Sequence, residues 1–187
     1  VLLSVVAGLV ITGAFHEDGL ADTFDGVGGG LTREKALEIM KDSRLGTYGT
    51  LALVSVLALK VGALSQLEPN LLTIALIVGH CLSRLSSVLV IASSAYVRDE
   101  GTGKPVSSGI SKRGLAVALL TGVLAVSASA MFAPLAQLGT GLMGLALGHI
   151  LMRSVFERKL GGYTGDTLGA VQQTSEIGFY LGLLVCL

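Results

Sequence analysis

HEDGLADTFDGVGGGLTREKALEIMKDSRLGTYG, residues 16–49, holds seven of the thirteen Asp and Glu of the chain and four of its thirteen Lys and Arg, yet apolar blocks flank it on both sides. How this charged island relates to those blocks decides the fold. The apolar residues come as long runs, not as stripes at helical spacing, which is the pattern of chain crossing a bilayer. Over 187 residues the chain is 51% hydrophobic and 14% charged, against about a quarter charged in ordinary soluble domains. The reading is an all-α, polytopic transmembrane helical bundle, a single integral membrane domain over residues 1–187.

Working outward, about six spans are expected at roughly 20 residues each. Val1–Ala14 reads as the end of a first helix. Thr47–Leu67 follows the island and carries Lys60 near one end, where it can snorkel. Leu71–Ala95, Leu115–Phe132, Pro134–Met152 and Leu168–Leu187 complete the set. Within the island, Gly28-Gly29-Gly30 breaks the chain. Thr32 then starts a short interfacial helix with Ala36, Leu37, Ile39 and Met40 on its apolar side. Gly144 and Gly148 form a GxxxG spacing that permits close helix packing.

Charge sets the expected topology. Eleven of the thirteen Lys and Arg fall in Arg33–Arg44, Arg98–Arg113 and Arg153–Lys159, and the intervening loops near Glu68 and Pro134 carry none. The positive-inside rule places these three segments in the cytoplasm, so the polar motifs are expected on one face of a cell inner membrane. A net charge of zero gives no field that favours nucleic acid. Cys81 and Cys186 lie inside apolar segments and read as fillers, with no pattern for zinc.

The chemistry concentrates on carboxylates. Asp18, Asp22 and Asp25 stand at i, i+4 and i+7, one face of a helix. Three like charges stacked there call for a cation, and oxygen ligands favour Mg²⁺ first and Mn²⁺ second. Glu17 points about 100° round the helix from Asp18 and His16 is a candidate proton carrier. Lys41, Asp42, Ser43 and Arg44 supply cations beside that site, suited to phosphate oxygens. His80 and Arg84, one turn apart inside a span, are expected to face the bundle; Arg84 is a candidate partner for Asp22, Asp25 or a phosphate. Arg98 with Asp99, Gly101 and Gly103 resembles a known R-x-x-G-x-G loop that cradles phosphate, Asp166 is a further candidate oxygen ligand or base, and intramembrane Glu176 a functional group paired with Arg84 or His80.

HEDGLADTFDG (16–26) followed by IMKDSRLGTYG (39–49), with LGGYTGDTLGA (160–170), resembles the cobalamin synthase family, the adenosylcobinamide-GDP ribazoletransferases. The likeness implies adenosylcobinamide-GDP and α-ribazole (or its phosphate) as substrates, with GMP released. It also implies Mg²⁺ held by Asp18, Asp22, Asp25 and Asp166. Asp25, Asp22 and His16 become the catalytic candidates. Lys41, Asp42, Ser43, Arg44, Arg84, Arg98 and Glu176 become the substrate-binding ones. An upstream quarter of the family domain is expected to be missing here, and a homo-oligomer or association with other cobalamin-assembly enzymes is the expected company. The DG-x-AD-x-x-D spacing also resembles, loosely, the aspartate motif of CDP-alcohol phosphotransferases, without their Arg or longer spacing. That enzyme class and a cation- or proton-coupled transporter are the alternatives.

Overall fold

A computed structural model describes residues 1–98 and 108–186. Among them the chain forms α1 (Leu2–Thr12), α2 (Phe15–Gly29), α3 (Arg33–Ile39), α4 (Thr47–Ser65), α5 (Pro69–Ser93), α6 (Lys112–Ser129), α7 (Leu135–Leu160) and α8 (Gly165–Leu184). Four of these, α4 to α7, are long and apolar enough to cross a membrane. α1 and α2 pass the same test together, as one segment bent by 85°. α8 is long enough but less apolar, because it is not a lipid-facing helix: 14 of its 20 residues are buried by protein. Among the described residues this gives four spans, or five with the bent pair, against about six expected; α8, expected as the last span, does not qualify.

The starts and stops follow local chemistry. The Thr32 side chain accepts from the Lys35 N–H and begins α3 as expected. Pro69 opens α5 at its first turn, where the missing N–H costs nothing. α7 overruns its expected end at Met152 by two turns. The polar run Arg153–Lys159 continues the helix, supported by the Arg153–Glu157 pair at i, i+4 (3.0 Å) and by two cations in the last turn.

α8 is the central element. It packs on α7, α2, α5 and α4. Against α7 the approach is backbone to backbone: a Cβ at Gly144 would strike the Gly178 carbonyl, and one at Gly148 the Thr174 carbonyl. The GxxxG spacing is therefore the α7–α8 seam. Two apolar clusters sit at opposite ends of α8, one around Leu64, Val78, Phe179 and Leu183, the other around Leu20, Phe156, Tyr163 and Val171. Between them the helix carries Gln172, Gln173 and Glu176, all buried.

The chain around the start of each basic segment comes together at one end of this bundle. Lys159 Nζ donates to the Leu31 carbonyl at 3.2 Å. Tyr163 N–H donates to the Ala95 carbonyl (2.8 Å) and Val97 N–H to the Tyr163 carbonyl (3.0 Å), an isolated parallel bridge. A side chain at Gly162 would collide with the Ala95 carbonyl, so this clasp requires glycine. It carries Arg98 to the start of α8.

Candidate active site

α2 is helical through the whole acidic motif, and its three aspartates have three different fates. Asp18 is exposed, Asp22 half-buried and Asp25 buried. The Asp25 carboxylate accepts from Gly46 N–H (2.7 Å) and Gly49 N–H (2.8 Å), the first turn of α4. It therefore caps α4 from another helix, with its charge at the positive end of the helix dipole. Asp25→Ala is expected to lower stability by about 2 kcal/mol, read as a lower unfolding midpoint in detergent.

Asp18 and Asp22 have no hydrogen-bond or ion-pair partner among the described residues. Around Asp22 stand the charges of Asp166, Asp18, Arg98 and, more weakly, Asp25. Arg98 Nη1 pairs with Asp166 Oδ2 at 2.7 Å, and both side chains are largely buried. The guanidinium keeps Nε and Nη2 buried without a hydrogen-bond partner among the described residues. Asp166 is placed by the first turn of α8, where Thr164 and Thr167 cap each other reciprocally (3.3 and 2.9 Å). At this end of the bundle, its mouth, Asp18 and Asp22 therefore stand beside an Arg98–Asp166 pair whose guanidinium keeps two donors unsatisfied among the described residues. Asp99, Gly101 and Gly103, the rest of the expected phosphate loop, lie outside the described residues.

Lys41–Arg44 form an exposed turn just before α4. Arg44 closes it on Asp42 through its N–H (3.0 Å) and through Nε and Nη2 (3.1 and 2.6 Å to Oδ2). The guanidinium, then the backbone N–H, holds the Asp42 carboxyl down at about 2. A carboxyl depressed in this way contributes fully above its ordinary value of 3.8 and loses that contribution as pH falls toward 2. Asp42→Asn is thus expected to leave the shape of a pH–rate profile unchanged from about pH 6 to about pH 9. Lys41 and Ser43 are exposed on the same turn.

His16, Arg84 and Glu176 belong to a different place, a small cavity of about 40 Å³ inside the bundle. Glu176 does not pair with Arg84. Its Oε1 lies 3.1 Å from Lys60 Nζ and accepts from Tyr180 Oη at 2.9 Å, while Oε2 is 3.6 Å from His80 Nδ1 and accepts from Gln172. Arg84 turns back on its own helix, to the His80 carbonyl at 3.0 Å, and does not reach Asp22 or Asp25. Lys60 does not snorkel: it is 5% exposed and also faces Glu17 Oε1 at 3.9 Å. Glu17 and Lys60 are absent from the site residues expected from sequence, where Lys60 reads as a snorkelling residue and Glu17 as turned from Asp18, yet each carries a signal of burial. Glu17 shares a helix face with Leu20, Ala21 and Phe24, and Lys60 shares one with Gly49, Ala52, Val56 and Ala63, the faces these helices bury.

This architecture defines a class: a polytopic helical membrane protein with an acid-and-guanidinium mouth at one end and an ionic network in its interior. The family model for cobalamin-5-phosphate synthase matches residues 1–184. The adenosylcobinamide-GDP ribazoletransferase of Shewanella woodyi is 47% identical over 193 residues, covering 98% of this chain and 72% of that protein. The proteins of the same name from Shewanella halifaxensis (47%) and Shewanella oneidensis (46%) align over 99% of this chain and 72% and 71% of their own lengths. No solved structure matches. The chain belongs to the cobalamin-5-phosphate synthase family.

Proposed function

We propose that the chain is a membrane transferase that joins adenosylcobinamide-GDP to α-ribazole, or to its phosphate, giving adenosylcobalamin or its phosphate and GMP. Family membership supports the reaction, and the mouth between α2 and α8 supports its place. The observation that carries the placement is that Asp18 and Asp22, without partners among the described residues, stand near Arg98, whose Nε and Nη2 likewise find none there. A diphosphate there would satisfy the guanidinium, while the attacking hydroxyl and a cation would meet the carboxylates. Its oxygens accept from the guanidinium, and the carboxylates face the incoming hydroxyl.

In this reading the ribazole hydroxyl attacks the phosphorus attached to cobinamide and gives its proton to Asp22. The bond from that phosphorus to the bridging oxygen breaks, and GMP leaves. Asp25, with both oxygens held by backbone N–H groups, serves as a cap and not as the base. Mg²⁺ fits the donor set. Among the described residues no three His, Cys, Asp or Glu side chains converge as a ready-made cage, but Mg²⁺ takes only one or two carboxylates and completes its shell with phosphate and water. Asp18 and Asp22, with Asp166 beside them, would hold it, and it would supply charge compensation for the diphosphate. The basic residues at this end support a mouth on the cytoplasmic side of the inner membrane, by the positive-inside rule.

The test is GMP release by the purified protein in detergent, from adenosylcobinamide-GDP and α-ribazole phosphate, with and without Mg²⁺. Release that depends on both substrates and on Mg²⁺ is expected. Absence of release from folded protein would remove the assignment.

A further inference from the structure

Glu17 and Asp18 are consecutive residues of α2 that face different ways, the first buried against α4 and α8, the second exposed at the mouth. The chain before α2 turns sharply away from it. Gly13 and Ala14 both adopt the left-handed conformation (φ 62° and 55°), α1 departs at 85°, and α1 buries none of its own residues. Packing fixes how closely α2 approaches its neighbours. Gly19 lies on the Asp166 backbone and Gly169 on the His16 backbone, Leu20 is buried in the cluster that contains Val171, and Asp25 caps α4.

A polar link at the N-terminal turn adds a directional hold to this packing. Glu17 Oε1 accepts from Gln173 Nε2 at 2.8 Å and faces Lys60 Nζ at 3.9 Å. Gln173 Nε2 also donates to Gln172 Oε1 (2.8 Å), and Gln172 Nε2 donates to Ser83 Oγ (2.9 Å) and to Glu176. One carboxylate thus ties α2 to α8 and α4 directly, and to α5 through two amides. We infer that Glu17, gripped by Gln173 and Lys60, is a positioning residue: it sets the rotation of α2 that presents Asp18 and Asp22 to Arg98 and Asp166. This rests on the reading of the mouth as the reacting site.

Glu17→Leu, Gln173→Leu, Glu17→Gln and Asp22→Asn are compared by kcat per folded enzyme and by KM for the GDP-linked donor. A misplacement of about 1 Å can cost about 10²-fold in rate. Glu17→Leu and Gln173→Leu are therefore expected to lower kcat by about tenfold to a hundredfold with KM little changed. Glu17→Gln, which still accepts from Gln173, should recover most of the rate. The double variant E17L/Q173L should be no slower than the slower single one, because both remove the same contact. Parent-like kcat in Gln173→Leu and Glu17→Leu, with Asp22→Asn inactive, overturns the positioning role and leaves the mouth standing. An active Asp22→Asn overturns the mouth itself. If Glu17→Leu fails to fold, Gln173→Leu decides: parent kcat, or a change confined to KM, overturns the inference.

Discussion

Asp22→Asn is expected to lower the rate of GMP release by about 10²–10³-fold while leaving the unfolding midpoint in detergent where it was. The two halves of that expectation come from one fact. Asp22 has no hydrogen-bond or ion-pair partner among the described residues to lose, so its removal costs the fold little. The same carboxylate is the proposed proton acceptor and the neighbour of both Asp18 and Asp166, so its removal strips the mouth of the group the chemistry needs. Asp25→Asn supplies the contrast. There an amide replaces a carboxylate that accepts from two N–H groups, and stability falls before any effect on chemistry can be read. Steady-state release measured beside thermal unfolding separates the two. An Asp22→Asn enzyme with the parent rate would move the chemistry away from this mouth.

Lys60→Met is expected to be the most destabilising single change, at about 3–5 kcal/mol. Lys60 is the cation between two buried carboxylates, 3.1 Å from Glu176 and 3.9 Å from Glu17. Deleting it strands both negative charges away from water, whereas replacing a whole ionic group by neutral residues is far cheaper. Lys60→Met/Glu17→Gln/Glu176→Gln should therefore be more stable than Lys60→Met alone. Unfolding midpoints in mixed detergent give the comparison. A Lys60→Met protein as stable as the parent would show that the network carries no structural weight.

Much of this was legible from residue order. Apolar runs and the alternation of basic loops give the bundle and the convergence of its polar motifs, because lipid and the positive-inside rule act on composition. The cap at Thr32 was legible because it is local. What was not legible is which side chain a polar residue finds across the bundle. Three aspartates at helical spacing look equivalent in sequence, but the first turn of α4 claims Asp25, and only tertiary packing brings that turn to it. Lys60 looked like an anchor because it lies near the end of a span. It turns inward because α8 offers Glu176 at the same depth. Arg98 and Asp166 are 68 positions apart and meet only because the Tyr163 clasp pins one strand of backbone to another.

The central place of α8 has a consequence for biosynthesis. α2, α4 and α5 are translated before α8, yet Gln173, Gln172 and Glu176, which receive Glu17, Ser83, Lys60 and His80, all reside on it. While the ribosome is still making α6 and α7, the earlier helices sit in the bilayer with those polar groups short of their eventual partners. The nascent chain passes through a state in which its interior charges have to be met by water, by lipid headgroups or by an insertase, and it becomes a finished membrane protein only when its most buried helix arrives.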